Sequence, residues 1–324
     1  MKAIVYTKYG APDVLKLKEV EKPTPEDHEV LVKVYEASVN SWDWDLLRGS
    51  PFLIRLWGLF KPKYQILGSD ISGRVEAVGK NVKQFQPGDE VFGDLCECGW
   101  GGFAEFVCAD ENALVLKPAS MTFEQVAALP QAAAMALQGL RDKGNIQAGQ
   151  KILINGAGGG VGTFAIQIAK SFGAEVTGVD STEKLEMMRS IGADFVFDYT
   201  QEDFTRNGQT YDLILDVMAY HSVFDYQRVL SPGGIYVLVG GSMARIFQIM
   251  LLGPLISKMG SKKIAILALK PNKDLDYMIK LFESGKVVPV IDRRYPLIEV
   301  PKALQYLGEG HAQGKVIITL NHNN

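Results

Sequence analysis

Residues 151–162 read Lys-Ile-Leu-Ile-Asn-Gly-Ala-Gly-Gly-Gly-Val-Gly, and this stretch decides the fold. Its apolar start predicts a short buried strand that the glycine-rich turn ends at once, and residues 163–170 continue with helical periodicity. A strand, a glycine turn and a helix N-terminus form an anion site, because the first helical turn presents unpaired N–H groups and partial positive charge. Glycine is needed since a Cβ atom would hold a phosphate away from the backbone.

The spacing of these glycines fits a dinucleotide site. Ala157-x-Gly159-x-x-Gly162 lies between the predicted strand and helix, and Asp180 follows a second predicted strand at 175–179. An acid about 20 residues after the turn is expected to accept hydrogen bonds from a ribose. An ordinary tight turn is the alternative, and the flanking strand and helix argue against it. The turn residues predicted to contact the cofactor are Ala157, Gly158, Gly159, Gly160 and Val161.

From residue 151 onward, predicted strands alternate with helical patterns. The strands are 151–155, 175–179, 195–198, 211–216, 235–239 and 264–268. Six strands in this rhythm predict an α/β fold with a doubly wound parallel sheet of the Rossmann type. The carboxyl ends of such strands face the nicotinamide half of a dinucleotide. Residues at those ends, and so predicted to contact the cofactor, are Asp216, Val217, Val239, Gly240 and Gly241.

The rest of the chain predicts a second domain. Residues 1–118 hold several short strands and turns and predict a compact β-rich domain, after which Thr122-Phe-Glu-Gln fits a capping box that starts a helical stretch towards Leu140. The tail predicts helices at 274–283 and 300–307 and a strand at 314–320. That tail is too short to stand alone. We therefore expect a β-rich domain of residues 1–118 plus 270–324, an inserted dinucleotide domain of residues 119–269, and a cleft between them.

Composition sets the protein class. The 324 residues are 47% hydrophobic and 22% charged, with a net charge of -3, which is typical of a globular protein and gives no electrostatic case for nucleic acid. The first six residues predict a strand instead of a signal peptide, and three cysteines cannot all pair with one another. These features favour the cytoplasm, with reduced thiols.

Several motifs together resemble the medium-chain dehydrogenase/reductases. They are Val39-Asn-Ser-Trp-Asp43, Leu67-Gly-Ser-Asp70 through Gly79, Pro87-Gly-Asp-Glu-Val91, the glycine turn, and Gly192-Ala-Asp194. The sequence is most similar to the quinone reductase branch that lacks zinc, which includes the zeta-crystallin-like proteins. The resemblance covers nearly the whole chain. It implies a two-lobed fold in which the Rossmann sheet is inserted into a GroES-like catalytic domain.

The resemblance also shows where this chain departs from zinc-dependent relatives. The positions that match their catalytic zinc ligands are Asn40, Ser69 and Gln131, without a thiolate or an imidazole. Catalytic zinc needs about three Cys, His or carboxylate ligands, and Asp70 alone cannot supply them. The pair Cys96-x-Cys98 has the wrong spacing for a zinc knuckle. We therefore expect no zinc.

Without a metal, the simplest chemistry is hydride transfer from a reduced nicotinamide to a quinone or an α,β-unsaturated carbonyl. Hydrogen bonds alone can stabilise the negative charge that develops on the oxygen of such an acceptor. Asn40 is the candidate catalytic residue, since its amide can donate to an oxyanion; a turn residue after a strand is the alternative. Lys315 matches a basic position that approaches the cofactor in relatives, or is a plain surface lysine. The rival functions are a zinc-free alcohol dehydrogenase and a non-catalytic NAD(P)H-binding protein.

The choice between NAD(H) and NADP(H) stays open in the sequence. Asp180 favours NAD, because an acid at the adenosine ribose repels a 2′-phosphate. The positions of Lys184 and Tyr199 resemble those that touch this phosphate in NADPH-using quinone reductases, and Ser181 lies beside them. A lysine on a first helical turn is also commonly just solvated. We therefore expect the chain to use both cofactors.

Two apolar segments have no assigned role. Residues 51–62 form either an apolar wall of the substrate site or ordinary packing. Residues 246–256, followed by three lysines, are too short to span a bilayer, which takes about 20 residues. A lid or a dimer face is the favoured interpretation, so a homodimer is left open, and interfacial membrane contact is the less favoured one.

Overall fold

The computed structural model of the chain describes residues 1–320, except for the side chains of Leu53 and Trp57. Its strands are β1 (Lys2–Val5), β2 (Lys16–Glu19), β3 (Glu29–Val39), β4 (Asp70–Val78), β5 (Glu90–Asp94), β6 (Phe106–Asp110), β7 (Val115–Leu116), β8 (Lys151–Asn155), β9 (Glu175–Asp180), β10 (Phe195–Asp198), β11 (Tyr211–Asp216), β12 (Leu230–Leu238), β13 (Lys263–Ile266), β14 (Ile291–Pro296) and β15 (Lys315–Thr319). Its α-helices are α1 (Ser41–Arg48), α2 (Phe123–Ala127), α3 (Pro130–Leu137), α4 (Gly160–Ser171), α5 (Leu185–Ser190), α6 (Val223–Val229), α7 (Met243–Met259), α8 (Leu275–Glu283) and α9 (Val300–Gly308).

The chain divides into two compact units. Unit 1 consists of residues 1–131, 271–279 and 291 onward, and unit 2 of residues 132–270 and 280–290. Each unit has its own buried apolar core, which in unit 1 includes Val32 and Ile71 and in unit 2 includes Ile214 and Tyr236.

Unit 2 is built on a six-stranded sheet. Its strand order is β10-β9-β8-β11-β12-β13, and all of its strand pairs are parallel. The prediction of a doubly wound parallel sheet is therefore confirmed. Strand β12 begins five residues earlier than predicted, at Leu230, because Leu230 pairs with Tyr211 and the strand passes through Pro232-Gly-Gly with a shift in register. This tripeptide reads as a turn in the sequence, which hid the start of the strand.

Unit 1 is the predicted β-rich part of the chain. Seven strands form the path β14-β15-β3-β4-β5-β7 with β6 paired to β3, and β1 and β2 form a separate antiparallel pair. The long strand β3 is central, since it pairs with β15, β4 and β6. Its burial pattern is nearly continuous, as expected for a strand covered on both faces.

The helical stretch after Thr122 is real but interrupted. The capping box is present, with the Gln125 N–H donating to Thr122 Oγ1 at 3.2 Å and the Thr122 N–H donating to Gln125 Oε1 at 2.9 Å. Helix α2 ends before Pro130, the first residue of α3, because proline lacks the N–H that would continue the helix. Among the described residues, none of the helices combines the length and apolar character needed to cross a membrane.

Candidate active site

The candidate catalytic residue lies where three strands of unit 1 meet. Strand β3 ends at Val39, and Asn40 is the N-cap residue of α1. The ladder between β3 and β15 pairs Val39 with Val316, and the ladder between β3 and β4 pairs Ser38 with Asp70. These two registers bring Asn40, Asp70 and Lys315 together from distant parts of the chain.

The Asn40 side chain is held at both ends. Its Oδ1 accepts a hydrogen bond from Lys315 Nζ at 2.6 Å, and its Nδ2 donates to Asp70 Oδ2 at 2.9 Å. Asn40 and Lys315 are both buried. A flipped amide would set its N–H groups against the ammonium and its oxygen against the carboxylate, so the charges fix the orientation. The surface-lysine interpretation of Lys315 is therefore wrong, and a catalytic role of Asn40 stays a prediction.

Asp70 is the hub of this cluster. Besides Asn40, its Oδ2 accepts from Ser38 Oγ at 3.1 Å and lies 3.4 Å from Lys315 Nζ, while its Oδ1 accepts from the Gln131 N–H at 3.2 Å. Burial raises the pKa of this carboxyl above its usual range, and the neighbouring ammonium opposes that rise. From the sequence, Asp70 was considered only as a metal ligand, and its role as the shared hydrogen-bond acceptor of this cluster was not predicted.

A second buried acid, Asp43, fixes the start of α1. Its Oδ2 accepts from the Asn40 N–H and its Oδ1 from the Gly68 N–H, both at 2.8 Å. Burial raises the pKa of Asp43 to about 7. Asp43 thus ties the backbone of Asn40 to the segment that leads into β4. The signal was present in the sequence, since an acid three residues after an N-cap is typical of a capping box.

The positions that match zinc ligands in relatives do lie near one another. Gln131 Nε2 is 3.5 Å from Ser69 Oγ, and Asp70 bridges Gln131 to Asn40. Their side chains offer amides and a hydroxyl. Across residues 1–320, no group of three or more His, Cys, Asp or Glu side chains is arranged to hold a metal.

The glycine turn of unit 2 has the tight geometry that its sequence predicts. Helix α4 begins at Gly160, with Gly159 as its N-cap. A Cβ atom at Gly162 would lie 2.2 Å from the Gly156 carbonyl oxygen, so only glycine lets the helix start against the turn. The N–H of Ala157 donates to the Val179 carbonyl at 3.0 Å and joins the turn to the second strand. Val161 lies in the first turn of α4.

Asp180 and Lys184 form a buried ion pair beside this turn. Lys184 Nζ is 3.2 Å from Asp180 Oδ1, and both side chains are only 8% exposed. The same carboxylate accepts from the Gly158 N–H at 2.8 Å and the Ser181 N–H at 2.9 Å. The solvated interpretation of Lys184 is therefore wrong. Tyr199 is largely exposed, and its N–H donates to the Asp180 carbonyl at 3.2 Å.

Asp216, at the end of β11, forms hydrogen bonds to residues of the neighbouring strands β8 and β12. Its fully buried carboxylate accepts from Asn155 Nδ2 at 2.8 Å and from the Tyr236 hydroxyl at 2.7 Å, and burial raises its pKa. Both oxygens of the Asp216 carboxylate therefore already accept hydrogen bonds from other residues of unit 2. The backbone beyond it is also bonded, since the Val217 N–H donates to the Asn155 carbonyl at 3.0 Å and the Val239 N–H to the Asp216 carbonyl at 2.8 Å.

Two glycines close this edge of the sheet. The Gly240 carbonyl accepts from the Ala219 N–H at 3.0 Å. Gly241 has φ of 141°, and a Cβ atom there would lie 2.4 Å from the Ala219 nitrogen. The backbone of the two strand ends therefore runs in close contact, which side chains at Gly241 would prevent.

The apolar segment 51–62 belongs to unit 1. Its Ile54 side chain is buried in the core of that unit, whereas Phe52, Leu56, Leu59 and Phe60 are exposed. It is anchored by Tyr9, whose hydroxyl donates to the Gly58 carbonyl at 2.7 Å, and by Arg55, whose Nε donates to the Gly49 carbonyl at 3.0 Å. Ordinary core packing accounts for Ile54 and not for the four exposed side chains. An apolar substrate wall stays a prediction.

Comparisons with known proteins cover both units. The model of the alcohol dehydrogenase GroES-like domain matches residues 26–119, and that of the zinc-binding dehydrogenases matches residues 191–318. A 2-methylene-furan-3-one reductase of Solanum lycopersicum is 35% identical over 98% of this chain and 79% of its own length. A chloroplastic NADPH-dependent alkenal/one oxidoreductase of Arabidopsis thaliana is 34% identical over the same shares. The solved structure of the quinone oxidoreductase from Coxiella burnetii superposes with a TM-score of 0.89 at 30% identity, covering 99% of both chains.

Proposed function

Because the chain belongs to the medium-chain dehydrogenase/reductases, in their quinone oxidoreductase branch, we propose that it reduces a quinone or an α,β-unsaturated carbonyl with NAD(P)H. The single observation that carries the proposal is the buried cluster of Asn40, Asp70 and Lys315. It supplies fixed hydrogen-bond donors and a positive charge without a metal ligand set.

The chemistry fits such a cluster. The nicotinamide supplies a hydride, and an activated acceptor gains that hydride and one proton, which leaves NAD(P)+ and the saturated carbonyl or hydroquinone. Negative charge develops on the acceptor oxygen, and preorganised donors stabilise it. The Asn40 amide has a second N–H to donate beyond its bond to Asp70. We assign the stabilising role to this N–H, with Lys315 and Asp70 as the groups that orient it.

The residues of unit 2 fit a dinucleotide. The start of α4 is packed so closely against Gly156 that no side chain can intervene at Gly162. The N-terminus of a helix that follows such a turn is suited to bind a pyrophosphate. We propose that Ala157 to Val161 border this group and that the N–H groups of Gly160 and Val161 bind it, because those of Ala157 and Gly158 already donate to Val179 and Asp180. Asp180, Ser181, Lys184 and Tyr199 would hold the adenosine ribose, with the 2′-phosphate where present. Val217, Val239, Gly240 and Gly241 would border the nicotinamide.

The donor chemistry of the cluster supports a reaction without zinc. A dication at Asn40, Ser69 and Gln131 would meet two amides and a hydroxyl, which are poor ligands for zinc, and the neighbouring Asp70 would add one carboxylate. It would also be repelled by the Lys315 ammonium, which lies 2.6 Å from Asn40 Oδ1. A charge of +2 about 4 Å from a unit positive charge is repelled by roughly 8 kcal/mol at an effective dielectric constant of 20. A carbonyl already activated by conjugation needs no stronger electrophile. A cytoplasmic location and a homodimer stay predictions.

Single-turnover kinetics test the function. The protein is saturated with NADPH or NADH and mixed with a panel of quinones and enones while the nicotinamide absorbance is followed. We expect rapid oxidation by at least one acceptor. Oxidation by none of them, together with tight cofactor binding, would indicate a non-catalytic NAD(P)H-binding protein. Faster reduction of NAD(P)+ by alcohols than oxidation by any acceptor would instead indicate an alcohol dehydrogenase.

A further inference from the structure

Helix α7 is apolar on two opposite faces. One face packs on the core of unit 2 through the buried Ile249, with Ile246, Leu252 and Ile256 partly buried beside it. On this face Gly253 lies against Ile264, since a Cβ atom there would be 2.9 Å from the Ile264 side chain. The core of unit 2 therefore accounts for one half of the helix surface only.

The opposite half of the helix is exposed, and we call it the α7 face. It consists of Phe247, Met250, Leu251, Leu255 and Met259, which are between 48% and 87% exposed. Their spacing of three and four residues places them in one stripe along the helix. Single exposed apolar residues are ordinary, but a continuous stripe of five large ones marks an interaction surface.

Charge identifies the occupant of the α7 face. Residues 243–270 contain five basic residues and no aspartate or glutamate, in a chain whose net charge is -3. Lys258 is exposed in the last turn of α7, and Lys263 is exposed at the start of β13. An apolar stripe bordered by lysines is typical of helices that lie in the interface of a lipid bilayer, where acidic headgroups attract the basic side chains.

We propose that the α7 face docks on the surface of a lipid bilayer that contains anionic lipids. The apolar side chains enter the boundary between headgroups and acyl chains, and Lys258 and Lys263 contact acidic headgroups. The sequence alone favoured a lid or a dimer face for this segment. The observation that changes the preference is the exposure of the stripe on a helix whose other half is already packed.

A second copy of the chain fits the α7 face less well. Two copies placed face to face would bring together two surfaces that each carry the exposed Lys258 and Lys263, in a segment without acidic residues. Like charges across an interface disfavour association. A membrane with anionic headgroups has the complementary charge.

Flotation with vesicles tests the proposal on the full-length protein. Phosphatidylcholine vesicles are compared with vesicles of phosphatidylcholine and phosphatidylglycerol, at low and high salt. We expect the protein to float with the anionic vesicles and to be released as salt rises, because screening weakens the attraction. Reductase activity is not a readout, so the result is independent of the proposed function.

Two double variants separate the apolar and the charged contributions. Leu251→Gln with Leu255→Gln should lower the vesicle partition coefficient at least about tenfold, since two exposed side chains no longer enter the bilayer. Lys258→Gln with Lys263→Gln should lower it about thirtyfold on anionic vesicles only. Ile298→Gln is the matched control, because Ile298 is 62% exposed and belongs to unit 1. Unchanged thermal unfolding shows that each variant is folded.

Three results would overturn the proposal. The first is a wild-type protein that stays at the bottom of the gradient with both kinds of vesicle. The second is equal flotation of the wild type and the leucine variant. The third is a dimer in sedimentation that the leucine variant dissociates, with no flotation, which would make the α7 face a contact between copies.

Discussion

Replacing Asp180 by asparagine should move the cofactor preference towards NADPH. The wild-type protein is expected to use both cofactors with efficiencies within roughly a hundredfold, a gap of about 2.7 kcal/mol. The reason is the ion pair between Asp180 and Lys184, in which the acid that repels a 2′-phosphate neutralises the lysine that would attract it. Asp180→Asn removes the repulsion and keeps an oxygen that can accept from the Gly158 N–H.

The geometry sets the magnitude. Both side chains are only 8% exposed, so solvent screens the pair less than it screens a surface pair. Two unit charges about 4 Å apart interact by about 4 kcal/mol at an effective dielectric constant of 20. Relaxation of the Lys184 side chain in the variant reduces the net effect, and we expect a shift of about 2 to 4 kcal/mol, or roughly thirtyfold to a thousandfold in the ratio of efficiencies.

The assay measures kcat/KM for NADPH and for NADH with one acceptor. It compares the wild type, Asp180→Asn, Lys184→Ala and the double variant, and Lys184→Ala should shift the ratio towards NADH. Because each ratio is measured on one preparation, a loss of folded protein cancels. Asp194→Asn is the control, since it breaks a lysine–aspartate pair elsewhere in unit 2 and should leave the ratio unchanged. An unmoved ratio in Asp180→Asn would show that the acid does not reach the ribose.

Three further predictions concern the catalytic unit. Asn40→Ala should lower kcat roughly tenfold to a thousandfold with little change in cofactor affinity, by analogy with the loss of one oxyanion donor. Asn81→Ala is the control, because Asn81 is exposed and its replacement should leave kcat unchanged. Equal turnover of the two variants would mean that Asn40 has no catalytic role. Treatment with a chelator should preserve activity, and elemental analysis should find no stoichiometric zinc; one zinc per chain, lost together with activity, would contradict this. Burial raises the pKa of Glu36 from 4.5 to about 7. Between pH 4.5 and about pH 7 the Glu36 carboxyl is therefore protonated in the folded state and ionised in the unfolded state, so the free energy of unfolding falls as pH rises through this range. Glu36→Gln should therefore raise Tm relative to the wild type at about pH 8 and not at about pH 4, and an equal change at both pH values would contradict the shift.

The nucleotide-binding unit was largely predictable from the sequence because its signals are local. The glycine run from 156 to 162 indicates a tight turn, which requires glycine at Gly156 and Gly162, and the strand before it has an apolar centre. Strand β12 was placed five residues late, since its Pro-Gly-Gly is a turn signal that the sheet overrides. Local patterns thus gave the order of the elements, and tertiary pairing decided where one of them begins.

The side-chain partners of unit 2 were less accessible to sequence reasoning. Asp180 and Lys184 were treated as competing contacts to the cofactor, although four residues along a helical start already bring such a pair within reach. Asp216 was assigned to the cofactor from its position at a strand end. Its carboxylate accepts from Asn155 and Tyr236, which lie on the two neighbouring strands, and its contact with the cofactor stays a prediction. Cross-strand neighbours depend on register, and register is not visible in a single sequence.

The cluster around Asn40 depends on register still more strongly. Lys315 reaches Asn40 because β15 pairs with β3 so that Val316 faces Val39, and Asp70 reaches it because β4 places Asp70 opposite Ser38. A slip of one residue in either ladder would turn Asp70 or Lys315 to the other face of the sheet. The cost of such a slip is high, since it would leave a buried carboxylate or a buried ammonium without its partner. The charged pair that orients the Asn40 amide therefore also selects the strand register that creates it, so the chemistry of this cluster and the pairing of its three strands are specified by the same residues.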